Sequence, residues 1–239
     1  MLIDTHCHLD FPDFAPEPTR PEDVERWIED VMAGAERVFD ALKQRRDSIR
    51  DVDRPLVDQM LAQRGGLRAR VRTLLPPDID GLNIRHHGDL NLRRLLIVKD
   101  DIFIIGFEGE PRRPLDERRR KAPAARDVAG LIRSIDYSAT AALERALKIA
   151  TDEHGKLAVA LGEWRDHATA AYLTAYREAM TEAKLWPADR QAADRLLNFF
   201  LLEKAFCEIE YELAHRPEWL RVPLTGAIRI LSENSNEAS

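Results

Sequence analysis

Cysteine is nearly absent from this chain: 239 residues hold two, Cys7 and Cys207, far apart in sequence. They offer no disulfide framework and no cysteine-based zinc site, and they suit a reducing compartment. Glycine is scarce too, at 11 residues, which argues against an all-β, turn-rich architecture. No apolar run approaches the roughly 18 residues of a membrane span. An excess of positive charge is also missing, since 36 Lys and Arg stand against 42 Asp and Glu, a net charge of −6 at pH 7. There is then no global basic field to hold nucleic acid or an anionic membrane. Met1 to Leu9 carries Asp4 and two histidines where a secretory leader needs a basic start and an apolar stretch. The expectation is a cytoplasmic protein of one or two domains that binds neither nucleic acid nor membrane.

What the chain does have is helical periodicity. From Pro21, the residues Val24, Trp27, Ile28, Val31, Met32, Ala35, Val38, Phe39 and Leu42 recur at steps of three and four and predict one buried helical face. Pro21 suits the first turn, Glu22, Asp23 and Glu25 complement the positive helix end, and the pattern frays into 44–51. A second helix is expected over about 55–75, broken or weakened at Gly65-Gly66 and ended before Pro76-Pro77. The period then changes. Leu95-Leu96-Ile97-Val98 and Ile102-Phe103-Ile104-Ile105, separated by Lys99-Asp100-Asp101, read as a β-hairpin and are the only convincing strands. Helices follow over roughly 127–147, 157–184 and 191–214, with a short one after Pro223. The fold class is mainly α with one small hairpin; 233–239 reads as a frayed polar tail.

Two polar loops bracket the hairpin: His87-Gly88-Asp89 on entry and Gly106-Phe107-Glu108-Gly109-Glu110-Pro111 on exit. Phosphoryl transfer uses such an arrangement, with one loop carboxylate orienting the acceptor hydroxyl and groups from both loops holding a metal. Asp89 can serve as the first of these. Spacing alone equally allows a tight turn with Asp89 as its cap. The run Arg118-Arg119-Arg120-Lys121, with Glu110, Asp116 and Glu117 nearby, reads as a solvated or ion-paired face.

Specific segments carry a family resemblance. Phe14-Ala15-Pro16-Glu17-Pro18, Pro21-Glu22-Asp23, His87-Gly88-Asp89, Phe107-Glu108-Gly109-Glu110-Pro111, Arg113-Pro114-Leu115, Arg126-Asp127-Val128-Ala129-Gly130, Arg133-Ser134, Asp136-Tyr137, Leu202-Glu203-Lys204-Ala205 and Tyr211-Glu212-Leu213 are among them. With these, 14–232 resembles the C-terminal lobe of a maltokinase, of the kind fused behind a trehalose synthase, with the aminoglycoside-phosphotransferase-like kinase fold. The resemblance implies ATP- and Mg-dependent phosphorylation of maltose to maltose 1-phosphate. It assigns Asp89 as catalytic base, His87 and Asp127 as support for its loop, Glu108 as the acid following the metal ligand, and Lys204 and Tyr211 to the sugar.

Three departures stand beside these matches. Where the family reads HGDxHLGQ, this chain has Arg94 in place of the metal-binding Gln. Where the family reads DFEGEP, Gly106 replaces the metal-binding Asp, and Cys207 stands where the family tends to have Tyr. The family also implies an N-terminal lobe with a phosphate-positioning Lys, and nothing before Phe14 supplies it. A catalytically impaired maltokinase-like protein is the first expectation, and a non-catalytic α-glucoside-binding or scaffold protein the second. Self-association, or a separate chain supplying the missing lobe, would cover the hairpin. The first residues, Met1 to Phe11, resemble the start of a TatD-type deoxyribonuclease, in which His6 and His8 would share one face of a strand as metal ligands. The further ligands and the repeating strand-helix pattern of that barrel do not follow.

Overall fold

The computed structural model describes residues 14–75, 79, 81–111, 113–149, 151–183 and 185–236. The proposed metal pair His6 and His8, and the nuclease-like start, lie outside these residues. Among the described residues no helix is long and apolar enough to cross a membrane. The chain forms two compact units, each assembled from separated stretches of sequence.

One unit comprises Arg20–Ile79 with Asp189–Ser239. Helix α1 (Pro21–Arg45) buries all nine residues of the expected face. Asp23 accepts the Arg20 amide at 3.1 Å, closing the first turn. The next helical stretch divides into α2 (Arg54–Ala62) and α3 (Leu67–Leu74), with the break at Gly65-Gly66. Helix α7 (Arg190–His215) packs along α1 and α3, and α8 (Arg221–Asn236) closes over α2 and α7. Helix α8 therefore continues through 233–236, four residues into the polar tail. Phe39 and Phe206 meet edge to face, as do Trp27 and Phe200. The buried carboxylate of Asp53 is met by Arg50 at 2.6 Å and by Arg221 at 3.1 Å, so the start of α2 is held to α8 by charge as well as by packing.

The other unit comprises Asp80–Ala188 with the described part of Met1–Thr19. Strands β1 (Glu17–Pro18) and β2 (Leu82–Asn83) pair antiparallel, an element too short for its sequence to announce. The Thr19 amide donates to the Gly81 carbonyl at 2.9 Å, and Ile84 bridges to Ala122. These pairings fix the chain just before His86-His87. Strands β3 (Leu95–Val98) and β4 (Asp101–Ile104) form the expected hairpin, in register from Leu95↔Ile104 to Val98↔Asp101. Leu96, Ile97, Val98, Ile102 and Phe103 are all exposed. A short α4 (Leu115–Arg119) precedes two long helices, α5 (Ala125–Leu147) and α6 (His154–Ala183), which pack on each other. At their contact Asp136 pairs with buried Arg133 at 2.6 Å and with Arg165 at 3.7 Å.

Within the basic run Arg120 and Lys121 are ion-paired. Arg120 meets Asp116 at 3.2 Å, Lys121 meets Glu17 and the Ala15 carbonyl, and Arg118 donates to the Glu108 carbonyl at 3.2 Å.

Candidate active site

The entry loop of the hairpin is moulded on one face of α5. Asp127 lies in the first turn of that helix and accepts two backbone amides, His87 at 2.6 Å and Gly88 at 2.9 Å. Three residues on, Gly130 lets the chain come very close: a Cβ there would stand 2.7 Å from the Leu90 carbonyl oxygen. Four further on, Ser134 Oγ accepts the Leu92 amide at 3.1 Å while its own hydroxyl donates to the Leu131 carbonyl. Positions 127, 130 and 134 share one stripe of a 3.6-residue helix, so a single helical face sets the course of the loop from His87 to Leu92.

His87 ties this loop to the end of the hairpin. Its Nε2 lies 2.9 Å from the Ile105 carbonyl, which can only accept, so Nε2 carries the proton. Nδ1 is left as an acceptor and takes the Asp89 amide at 3.2 Å. The ring is buried and lies 4.9 Å from that of Phe107. The two loops also touch backbone to backbone, since a Cβ on Gly88 would stand 3.3 Å from the Gly109 Cα. His87, Asp89, Glu108 and Asp127 are thus gathered in one unit at one end of the hairpin.

Asp89 is engaged by a cation of the chain itself. Arg94 Nη2 donates to Asp89 Oδ2 at 2.8 Å, and Arg94 Nη1 lies 3.8 Å from Glu108 Oε1. The hydrogen bond to Asp89, with Glu108 and Glu110 adding attraction, holds the guanidinium even more firmly protonated than usual. Asn91 completes the turn, donating to the Asp89 carbonyl at 2.8 Å. The guanidinium lies over Gly106, where an added Cβ would stand 2.8 Å from Arg94 Nη1. Divalent cations of the magnesium class need several oxygen ligands around an open position. Here one carboxylate is bound to Arg94 and position 106 has no side chain. Among the described residues no group of three or more His, Cys, Asp or Glu is gathered to hold a metal. The residues present do not fit a divalent cation.

Lys204 and Tyr211 belong to α7 in the other unit. The Tyr211 ring stacks on His215 at 4.5 Å and carries the Arg216 guanidinium at 5.2 Å. Cys207, half-buried, sits on the same helix.

Two tyrosines that sequence reading passed over flank the loop helix. Burial raises the pKa of both Tyr172 and Tyr176 on α6, with the charge of Asp127 adding to it, and pushes Tyr176 up to about 12. Tyr176 also meets Trp186 edge to face at 5.5 Å. A folded pKa above the unfolded one stabilises the protein fully below the unfolded pKa, about 10, and that contribution is lost as pH rises through the folded value. A tyrosinate titration followed at 295 nm should therefore show Tyr172 and Tyr176 titrating late, together with loss of stability above about pH 10. Late titration surviving in the Tyr172→Phe, Tyr176→Phe double variant would refute the assignment.

No family model matches the chain. A glucosamine kinase of Streptacidiphilus jiangxiensis is 29% identical over 147 residues, 62% of this chain and 31% of that protein. One from Mycolicibacterium smegmatis is 28% identical over 177 residues, 73% of this chain and 41% of that protein. A solved glucosamine kinase in complex with glucosamine, ADP and inorganic phosphate matches 94% of this chain and 51% of its own, with a TM-score of 0.67 at 23% identity. The chain shares its fold with about half of that glucosamine kinase. A second glucosamine kinase crystal form gives a TM-score of 0.65 at 24% identity, over 91% of this chain and 48% of its own. The chain thus spans between about a third and a half of the length of the relatives it matches.

At the level of a kinase-like fold this agrees with the resemblance of 14–232. Gly130 and Ser134 lie in segments that carry the resemblance, which gives them no role. Their spacing from Asp127 was the available signal, but it acquires meaning only once the loop is seen lying on that face.

Proposed function

We propose that this chain derives from a sugar kinase, binds a glucose-type sugar, and is impaired in phosphoryl transfer. The observation that carries the proposal is the 2.8 Å ion pair between Arg94 and Asp89. In the phosphotransferase reading Asp89 accepts the proton of the sugar hydroxyl, and a nucleotide of the ATP class gives up its terminal phosphoryl group. The Arg94 pair removes one of the two carboxylate oxygens from that task. A site that does not fit a divalent cation also lacks the main source of charge neutralisation for the transferring group.

For the sugar, the relatives named above point to glucosamine and the motif resemblance points to maltose; both present a glucose ring. The sugar role of Lys204 and Tyr211 rests on that resemblance. Cytoplasmic placement rests on the scarcity of cysteine. Calorimetric titration of the full chain tests the binding half of the proposal. Heat is expected from glucosamine or maltose, reduced about tenfold or more in affinity by Lys204→Ala, on the scale of one lost charged hydrogen bond. Silence from both sugars, in a sample shown to be folded, would leave the chain as a scaffold only.

A further inference from the structure

Arg94 and Gly106 are the two departures that fall in the hairpin loops, twelve residues apart across the hairpin. The Ile105 amide donates to the Arg94 carbonyl at 3.0 Å, which seats the two positions side by side. From there the guanidinium turns back over the exit loop. A Cβ on residue 106 would stand 2.8 Å from Arg94 Nη1, 3.0 Å from Cζ and 3.1 Å from Cδ. A Cβ does not approach a nitrogen as closely as 2.8 Å, so a side chain at 106 would displace the guanidinium from this placement. The backbone at 106 adds a second barrier, since its φ of +82° is one that L side chains rarely adopt. The glycine therefore supplies both the turn and the space that the guanidinium occupies.

We infer that Arg94 is a tethered cation, seated on Gly106, which takes the place of a divalent metal ion between Asp89 and Glu108 and closes the loops to Mg²⁺ and Mn²⁺. The two carboxylates are neutralised in part from within the chain, at 2.8 Å and 3.8 Å. A second cation entering there would meet a fixed positive charge and find one carboxylate already bound. The two positions form one device: a side chain at 106 would push the guanidinium off its seat, and glycine without the arginine would leave the Asp89 and Glu108 carboxylates without the cation between them. The inference rests on the sugar-kinase reading only for the kind of cation considered.

The test uses the full chain and Mn²⁺ alone, followed by electron paramagnetic resonance, with no sugar or nucleotide present. The wild type and Gly106→Asp are expected to leave Mn²⁺ free, and Arg94→Gln with Gly106→Asp to bind it at least about tenfold more tightly. A thermal cycle keeps the idea falsifiable if the aspartate variants fold poorly. Gly106→Ala should lower the unfolding midpoint by about 5 °C, and by about half as much in an Arg94→Gln background, where only the backbone strain remains. Equal shifts in the two backgrounds would overturn the shared seat. Mn²⁺ bound by the wild type and released by Asp89→Asn would overturn the tethered cation while leaving the sugar-binding proposal intact. Silent sugar titrations with the expected Mn²⁺ pattern would remove only the sugar-binding proposal.

Discussion

Asp127→Ala is expected to destabilise the unit that carries the hairpin by about 3 kcal/mol or more and to release the entry loop. The estimate follows from the two amides of His87 and Gly88 that converge on one carboxylate, at 2.6 Å and 2.9 Å. Hydrogen bonds to a charged acceptor contribute about 1.5–3 kcal/mol each, and removing the acceptor leaves both donors without their partner. Asp127→Asn should recover less than half of the loss, because its single carbonyl oxygen satisfies one amide while its NH₂ faces the other. Hydrogen exchange at the two amides separates this account from general destabilisation: both should exchange far faster in Asp127→Ala while the amides of α6 remain protected. Unchanged exchange at His87 and Gly88 would mean that the loop holds its course without the helix.

Gly130→Val is the second large effect, at about 2–3 kcal/mol. A Cβ at 130 would stand 2.7 Å from a backbone carbonyl oxygen, that of Leu90, which cannot swing aside as a long side chain can. Helix propensity by itself favours replacing glycine, by up to about 1 kcal/mol for alanine, so the expected loss has the opposite sign to a propensity argument. Overpacking of a fixed contact costs about 1–3 kcal/mol, and the β-branched valine adds bulk while giving back most of the propensity gain. Gly162 on α6 is the control, since nothing lies within 4 Å of the space its Cβ would take. Gly162→Ala should be neutral or stabilising by up to about 1 kcal/mol. A tolerant Gly130→Val, with the Leu92 amide still bound to Ser134, would contradict the close approach of loop and helix.

Both effects arise at a site that was only partly legible in the sequence. Local signals carried well: the nine apolar residues of α1 are buried, the hairpin forms at 95–98 and 101–104, and the helix break falls at Gly65-Gly66. Each depends on periodicity or turn chemistry within a few residues. Three features depended instead on contacts between distant residues. The pairing of 17–18 with 82–83 is two residues long and spans more than sixty positions, so no local pattern marks it. The division into two units follows from α1, near the start of the chain, packing on α7, near its end. Arg94 and Gly106 each stood out as a lost ligand, but that they occupy one another's space is a fact of three-dimensional placement. The Asp127, Gly130 and Ser134 stripe lies between these cases, with regular spacing and a meaning supplied by the loop.

The central claim is that Asp89 remains in place but is engaged by Arg94 and so does not serve transfer. The most direct measurement follows label from γ-³²P-ATP into glucosamine and into maltose, with Mg²⁺ present, comparing the wild type with Asp89→Asn. The expected result is no transfer by the wild type above the level of the variant. Sugar phosphate formed by the wild type and abolished by Asp89→Asn would show that Asp89 still acts as a base beside Arg94, and would contradict the account.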